Sequence, residues 1–315
     1  MAQTAADDPG GVMTSLSLAS MGEPAQRRAE LFHEQPIERL ERWALGTVWA
    51  LHPRRIHNFP AFAQLWLTDL VKPATGLPDP ERTLNRAGLV GMAHDVSVPT
   101  LMQAYRNGLF THAHFGPLKW YSLDERCVLL FGDYHCGKQV RRLLRQGRYT
   151  VTFDRDFEGV IKTCAGRRQG KWHVTWITPR IMRAYADLYD AGHVHSFEVW
   201  NADGALVGGG YGVAAGGIFF TESQFSLEKN TSKLGFTVLN WHLANWGFTL
   251  NDGKWETPTL AEMGFHMMPR PAFQLRLAHD AHQGGRTGRW QVETDLKTVA
   301  AWQPGGAEHK SSSAA

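Results

Sequence analysis

The chain has 315 residues, of which 43% are hydrophobic and 20% charged, with a formal net charge of +3. This length can bury a full hydrophobic core in one large or two modest domains, and so small a net charge is not evidence for nucleic-acid binding. No apolar run approaches the roughly 18 residues of a membrane span, Asp7 and Asp8 stand where a secretory signal has basic residues, and three cysteines lack metal-type spacing, so we expect a cytoplasmic protein without a membrane partner.

The N-terminal quarter of the chain predicts a helical extension. Residues 1–25 are small and polar, which is typical of a flexible tail. Residues 26–80 carry apolar side chains at helical spacing, Leu40, Trp43 and Leu51 among them, and they end in the Pro-rich run KPATGLPDPER.

Residues 81–147 predict a small α/β subdomain. Ser97 can cap a helix that Gly108 ends. A second helix, in the run GKQVRRLLRQG, has cations at i, i+3, i+4 and i+7: Lys138, Arg141, Arg142 and Arg145. Such a stripe suits a phosphate backbone, although a solvated basic surface has the same pattern.

Residues 148–280 predict an α+β domain with the order β-α-α-β-β-β-α-β-α-β, whose last strand runs through Phe273 to Leu277. This is the element order of the GNAT acyltransferase fold, so by analogy we expect a GNAT-like mixed sheet flanked by helices. Residues 281–315 then form a C-terminal tail.

A glycine-rich strand stands at the centre of this domain. Six of the ten residues 208–217 are glycine, which predicts either close approach of a ligand or backbone, or a loose bulged hairpin. The run FFTESQFS follows and contains Glu222, and a helix with Asn230 as its N-cap and Lys233 in its first turn comes next, which suits a phosphate or carboxylate. No glycine lies between Gly217 and Gly235, where an acetyl-CoA enzyme would need one.

Two histidine pairs are the only sequence hint of a metal. His112 and His114, like His193 and His195, would face one side of a strand. A third ligand is missing from the pattern, so we expect no metal.

Several blocks of this chain resemble the leucyl/phenylalanyl-tRNA-protein transferases. They run in order from about Ala87 to Arg270 and include GLVGMAHDVSVPTLMQAYRNGLF, KWYSLDER, TWIT, GHVHSFEVW, LVGGGYGVAAGGIFFTESQFSLEKNTSK, Asp252 and MGFHMMPR. The resemblance implies a small N-terminal domain, a GNAT-like C-terminal domain, and transfer of a Leu-, Phe- or Met-like residue from aminoacyl-tRNA to an N-terminal Arg or Lys, which marks a protein for degradation. Because the aminoacyl ester is already activated, the reaction needs no ATP or metal cofactor; we expect a monomer.

The resemblance also assigns site residues. Asp252 matches an acidic residue that helps deprotonate the attacking amine through a glutamine, whose place Lys254 takes here, and Glu222 matches a glutamate at the amino-acid pocket and acceptor site. Trp120 and Trp176 match aromatic residues near the substrate, and Tyr121 stands where a second tryptophan is usual.

Further positions depart from the family pattern. Gly210 and Gln224 replace pocket methionines, Ser223 lies beside them, and Thr259 replaces a histidine, which predicts altered specificity through a void and an amide in the pocket. Lys254 has only donors, so it is either a base neutralised by burial or pairs with Asp252 or Glu222 and stabilises the oxyanion.

Three other functions fit parts of this pattern. The acceptor could be a small amine or hydroxyl in a biosynthetic pathway, because Lys254, Gly210 and Gln224 depart from the family residues. The chain could be a non-catalytic tRNA-binding relative, given the altered Asp252–Lys254 element. An acetyl-CoA enzyme is the least favoured.

Overall fold

The computed structural model describes residues 24–53, 55–113, 115–167, 175–283 and 285–304. The predicted flexible N-terminal tail lies almost entirely outside these residues. Within them the chain forms a small three-stranded sheet and a mixed seven-stranded sheet flanked by helices. The predicted α+β class is therefore confirmed. None of the helices in the described part of the chain combines the length and apolar character needed to cross a bilayer.

The N-terminal extension is helical, as predicted. It contains α1 (Pro24–Leu31), α2 (Pro36–Leu51) and α3 (Phe59–Val71), with a 3-10 turn at Ile56–Asn58. Pro36 begins α2 because a proline in the first helical turn gives up no hydrogen bond.

The extension docks onto the rest of the chain at both ends. Arg28 of α1 donates from Nε to Glu158 at 2.7 Å and from Nη2 to Asp190 at 2.9 Å. At the other end, Asp69 of α3 accepts from the His94 ring at 2.8 Å.

The small sheet follows the extension in sequence. Its strands are β1 (Leu89–Met92), β2 (Phe110–His112) and β3 (Lys119–Tyr121), with β3 in the middle and both pairings antiparallel. The predicted helix α4 (Val98–Arg106) lies between β1 and β2, and Gly108 follows it with φ +75°.

The large sheet has the strand order β10-β4-β9-β8-β7-β6-β5. Its strands are β4 (Glu125–Leu129), β5 (Thr150–Phe153), β6 (Val194–Trp200), β7 (Leu206–Ala215), β8 (Ile218–Ser226), β9 (Leu250–Lys254) and β10 (His266–Pro269). Within the described residues β8 and β9 form the one parallel pair of this sheet, and the other neighbouring strands are antiparallel. Strand β4 comes from the sequence of the predicted small subdomain, yet it pairs with β9 and β10.

Helices cover both faces of this sheet. One face packs on α6 (Phe157–Ala165) and α7 (Pro179–Asp190), and the other on α5 (Lys138–Gln146) and α8 (Thr231–Asn245). Two neighbouring aromatic residues of β8 belong to different cores, because alternate side chains of a strand point to opposite faces. Phe220 lies in the core on the side of α6 and α7, and Phe219 in the core on the side of α8.

The glycine run of β7 lets the backbone of α8 approach the sheet. A Cβ at Gly208 would lie 2.6 Å from Thr231 Cβ and 2.9 Å from the Thr231 backbone carbon. Of the two possibilities for this run, close approach of another backbone is therefore the one that the structure shows at Gly208.

Two sequence predictions about helices need correction. Phe273 to Leu277 is not a strand: it belongs to α10 (Arg270–Asp280), and the last strand is β10, which the sequence analysis missed. Asn230 precedes α8 as predicted, but its side chain does not cap the helix; Ser226 Oγ instead accepts from Ser232 N at 3.0 Å. The short helix α9 (Pro258–Glu262) lies between β9 and β10, which agrees with the last helix in the predicted order of elements.

The C-terminal segment packs against the core up to the end of the described residues. Trp290 is 1% exposed and stacks on the His195 ring at 3.6 Å, and α11 (Leu296–Ala301) contacts α5 and α8. The stretch of the predicted tail from 285 to 304 is thus part of the packed structure.

Candidate active site

The candidate site forms where β8 and β9 run side by side. Their parallel register extends from Ile218 opposite Leu250 to Phe220 opposite Asp252, and both strands continue past that point. A bulge between β7 and β8 follows, since Tyr211 pairs with Ser223 but Gly212 with Thr221. Glu222 is the residue displaced by the bulge, so its carboxylate lies beside the end of β9.

Asp252 forms a buried ion pair with Arg126 of β4. Arg126 Nε donates to Asp252 Oδ1 at 3.2 Å and Nη2 donates to Oδ2, while both side chains are at most 2% exposed. Arg126 Nη1 also donates to Gly108 O at 2.7 Å, and Lys254 N donates to Asp252 Oδ1 at 2.8 Å. Asp252 is therefore held from two strands.

Lys254 forms a second buried ion pair, with Glu222. Its Nζ lies 2.6 Å from Glu222 Oε1 and 2.8 Å from Thr221 O, and the two side chains are 5% and 2% exposed. Of the two predicted partners, Asp252 and Glu222, the Lys254 side chain thus pairs with Glu222. Its backbone has φ +64°, a conformation that L residues rarely adopt, and this turns the side chain back toward β8.

Two buried tyrosines complete this ion pair. Tyr105 OH donates to Glu222 Oε1 at 2.6 Å and lies 2.6 Å from Tyr185 OH. Burial, and then the nearby Glu222 carboxylate, raise the pKa of Tyr105 well above its ordinary value, and the same causes raise the pKa of Tyr185. Both phenols therefore remain protonated donors at neutral pH.

Arg126, Tyr105 and Tyr185 were not predicted as site residues from the sequence. Arg126 carried one signal, an arginine at the start of the apolar run CVLL, where a buried strand needs a charged partner. The sequence contains no such signal for the two tyrosines, because a tyrosine on the apolar side of a helix is expected to be an ordinary core residue.

Aromatic side chains surround the Lys254 end of the site. Phe110 lies under both cations, with Lys254 Nζ 5.6 Å and Arg126 Cζ 4.9 Å from its ring centre. Tyr121 stacks on Phe110 at 6.0 Å, and burial raises its pKa to about 12. Trp255 meets the same ring edge-on at 4.9 Å.

The two matched tryptophans have different surroundings. Trp120 is 1% exposed and lies in the hydrophobic core behind the small sheet. Trp176 is half-buried, with its ring 5.3 Å from His112 and 6.2 Å from Tyr185. Of the two tryptophans, Trp176 is thus the more exposed one, and it lies next to the buried Tyr185.

Gly210 and Gln224 face away from Glu222. They are paired across β7 and β8, and a Cβ on Gly210 would lie 2.7 Å from Gln224 Cγ and 2.8 Å from the Phe197 ring, which packs on the α8 side. The predicted void at Gly210 is therefore wrong, because these side chains fill it. Ser223 pairs with Tyr211 and is partly exposed.

The predicted basic stripe lies on α5, with one change. Lys138, Arg142 and Arg145 are exposed, and Val140 and Leu144 are buried beneath them. Arg141 instead donates to Ala300 O at 2.7 Å and to Cys136 O at 3.3 Å. Lys233 pairs with Glu262 at 2.7 Å.

The histidine pairs are not assembled as ligand sets in the described chain. His114 lies outside the described residues, and His195 bonds Asp154 through Nδ1 at 2.8 Å. No group of three or more His, Cys, Asp or Glu residues suited to a metal occurs within the described ranges.

Comparison with known proteins identifies close relatives. A family model, Leucyl/phenylalanyl-tRNA protein transferase, matches residues 128–278. The leucyl/phenylalanyl-tRNA–protein transferase of Azotobacter vinelandii is 43% identical over 68% of this chain and 94% of its own length. That of Pseudomonas syringae pv. syringae is 43% identical over 69% and 95%, and that of Alkalilimnicola ehrlichii 38% over 75% and 92%.

Among solved structures, the structure of L-PGS from Bacillus licheniformis aligns with a TM-score of 0.29 and 13% identity, over 47% of each chain. That likeness is too low to bear on the fold or the function.

Proposed function

The chain belongs to the leucyl/phenylalanyl-tRNA–protein transferase family, and on that premise we propose that it transfers leucine, phenylalanine or methionine from tRNA to the α-amine of proteins that begin with Arg or Lys. The observation that carries this proposal is the 43% identity across 94% of the Azotobacter enzyme. The product would be a protein marked for degradation. Since charged tRNA is made in the cytoplasm and the three cysteines are free thiols, we place the reaction there.

The chemistry requires positioning more than activation. The amine nitrogen attacks the ester carbonyl carbon, the bond from that carbon to the ribose oxygen breaks, and the proton lost by the amine ends on the ribose hydroxyl. No phosphate is cleaved, because the ester already carries the needed free energy. The protein must supply a neutral amine and donors for the tetrahedral oxyanion.

We assign oxyanion stabilisation to Lys254. A lysine ammonium has three donors, and among the described residues Glu222 and Thr221 O accept two of them. One donor remains for the developing oxyanion, in a site that is almost completely shielded from water. Burial makes such a charged donor more effective than it would be in solvent.

Glu222 and Asp252 receive different roles. Glu222 is held by Lys254 Nζ and Tyr105 OH, both on its Oε1. We therefore assign it to the acceptor amine, whose proton it takes and passes on to the ribose hydroxyl. Asp252 has both oxygens occupied by Arg126 and a third bond from Lys254 N, so we assign it a positioning role that fixes the end of β9.

Two architectural proposals accompany these roles. The order of elements from β5 to β10 and the parallel pairing of β8 with β9 favour a GNAT-like core. We also propose that the exposed cations of α5, Lys138, Arg142 and Arg145, contact tRNA phosphates. The division into an extension, a small subdomain and a catalytic domain stays a proposal, with β4 shared between the last two.

The test is a matrix of charged tRNAs against peptides with varied first residues. We expect transfer from leucyl-, phenylalanyl- or methionyl-tRNA to peptides beginning with Arg or Lys, and loss of transfer in Glu222→Gln with tRNA affinity kept. A natively folded protein that transfers from none of these tRNAs would contradict the proposal.

One observation favours a second candidate, transfer to a small amine or hydroxyl. Lys254 already neutralises Glu222, the carboxylate that would receive a cationic first residue. The same matrix, extended with small amines and alcohols, separates the two: preference for these over Arg and Lys peptides would favour this candidate.

A further inference from the structure

A large cavity lies between the N-terminal extension and the small sheet. Its volume is about 500 Å³, within the range of about 300–1,000 Å³ that is typical of small-molecule pockets. Its walls include Trp49, Arg55 and Phe62 from the extension, and His112, Tyr121 and Trp255 from the other side. The extension and most of these residues lie outside the 128–278 range matched by the family model.

The cavity wall is aromatic and cationic. Arg55 stacks over the Trp49 ring at 4.1 Å, and Lys119 Nζ lies 4.5 Å from the Phe62 ring centre. Among the lining residues that the structure describes there is no aspartate or glutamate. At the wall, the side-chain amide of Asn85 donates to Asn58 Oδ1 at 3.2 Å. Both amides are able to form hydrogen bonds with the edge of a bound base instead.

This cavity adjoins the candidate active site. Tyr121 and Trp255 line it, and both pack on Phe110, the ring that lies beneath Lys254 and Arg126. One aromatic ring therefore separates the cavity from the proposed reacting groups. A group that fills the cavity would be close to the donor ester.

We propose that the extension forms a clamp for the single-stranded 3′ end of the tRNA, in which a base stacks against Trp49 and its phosphate meets Arg55. Single-stranded nucleic acid is held by this combination, aromatic faces for bases with cations for the backbone. This inference rests on the proposed function, because it takes aminoacyl-tRNA as the donor.

The charge of the cavity argues against the other substrate. An acceptor that begins with Arg or Lys would bring a positive charge next to Arg55 without an acidic partner among the described lining residues. An anionic phosphate is instead attracted by this positive charge. We therefore assign the clamp to the tRNA and not to the acceptor peptide.

The extension is attached firmly enough to serve as a wall. Phe62 meets Phe115 edge-on at 5.7 Å, and a Cβ on Gly116 would lie 2.9 Å from the Phe62 ring. Asp69 is tied to His94 by two contacts of 2.8 and 2.9 Å. The Phe62 wall is thus held against the loop that precedes β3.

The test compares two uncharged tRNAs, one intact and one lacking its three 3′-terminal nucleotides. Trp49→Ala and Arg55→Gln are measured by equilibrium titration beside matched controls outside the cavity, Trp43→Ala and Arg39→Gln, both on α2. We expect Trp49→Ala to weaken the binding of intact tRNA by about 5- to 150-fold, the range for one base stack. Arg55→Gln should weaken it less, and the controls should match the wild type.

The shortened tRNA makes the result specific. It should bind the wild type and Trp49→Ala equally, and thermal unfolding should show that both variants are folded. Equal weakening of both tRNAs, or none, would overturn the clamp, as would a raised KM for the peptide with unchanged tRNA affinity. Because titration requires no transfer, inactivity in the transfer matrix would refute the proposed function without deciding the clamp.

Discussion

Lys254 reaches Glu222 through a backbone conformation that its sequence alone does not reveal. With φ at +64°, its Nζ lies 2.6 Å from Glu222 Oε1 in a region where both side chains are almost fully buried. A buried pair of this kind is expensive to break, because removal of one partner leaves the other charge without compensation. Stability and the proposed oxyanion stabilisation therefore depend on the same residue.

We expect Lys254→Met to lower the free energy of unfolding by about 3–5 kcal/mol, the usual range when one member of a buried pair is removed. Lys254→Met combined with Glu222→Gln should recover most of this loss, since no uncompensated charge remains. Urea unfolding of the two single variants and the double variant measures the coupling free energy. Additive losses would show that the ion pair is not what holds these side chains.

Lys119 predicts a pH dependence of stability. Burial lowers its pKa to about 7, below the ordinary value of 10.5, so between these pH values the unfolded chain binds the proton and the folded chain does not. Stability should therefore rise with pH above about 7, by at most about 1.4 kcal/mol per pH unit from this group. Lys119→Met should lose this rise in urea unfolding measured from pH 7 to 10. An identical slope in both proteins would show that Lys119 is charged in the folded state.

At the residue scale, sequence identified one carboxylate–cation pair of the site but not the other. Glu222 and Asp252 were recognised because they match family positions, and Lys254 because it stands where the family has a glutamine. Arg126 is 126 positions before Asp252, and the pairing of these two residues depends on β4 lying next to β9. The sequence of a strand does not show which strand lies beside it, so this contact is visible only in the folded structure.

At the scale of single elements, α10 shows how a short apolar pattern misleads. Phe273, Leu275 and Leu277 alternate with polar residues, which is typical of a strand. In the structure Phe273 and Leu277 are 1% exposed and Leu275 is 75% exposed, which is the i, i+4 face of a helix. A five-residue segment fits the period of a strand and the period of a helix equally well. The surface against which it packs therefore decides which structure forms.

Helix α5 shows the reverse case, a pattern that was largely informative. The i, i+3, i+4, i+7 spacing gave the helix and its buried side, and three of the four cations are exposed. The fourth, Arg141, is taken by Ala300 O, a backbone acceptor 159 residues away. The local pattern predicted the exposed face of the helix, but not which of its cations would form a hydrogen bond with the C-terminal segment.

We expect charge reversal of the three exposed cations of α5, Lys138, Arg142 and Arg145, to weaken tRNA binding. Each lost phosphate contact should reduce the slope of log affinity against log salt by about 0.7–0.9, because fewer counterions are released. Filter binding at several salt concentrations measures this slope. Reversal of Arg82, Arg183 and Arg276, which are exposed elsewhere, is the matched control. Equal effects of the two sets would mean that only net charge matters.

At the scale of the whole molecule, Arg126 links parts of the chain that sequence analysis treated separately. It lies in a strand of the large sheet, donates to Gly108 O just before β2, and pairs with Asp252 of β9. The small sheet and the large sheet therefore share a buried charge. Their cores also merge, since Phe110 and Trp120 belong to the same cluster as Phe220 and Leu250. Residues on either side of the predicted boundary at 147 thus stabilise each other.

We expect the two sheets to unfold in one cooperative transition, because neither can open without exposing Arg126 or Asp252 to an unpaired state. Tryptophan fluorescence and far-UV circular dichroism should give the same urea midpoint in the wild type. In Arg126→Met the loss of about 3–5 kcal/mol should be accompanied by faster hydrogen exchange in β2 and β3 than in β7, because the link to Gly108 is gone. Arg286→Met, which removes a partly exposed pair with Glu293, is the control and should change neither midpoint measurably. Separate midpoints in the wild type, or uniform exchange in Arg126→Met, would show that the sheets are stabilised independently of this arginine.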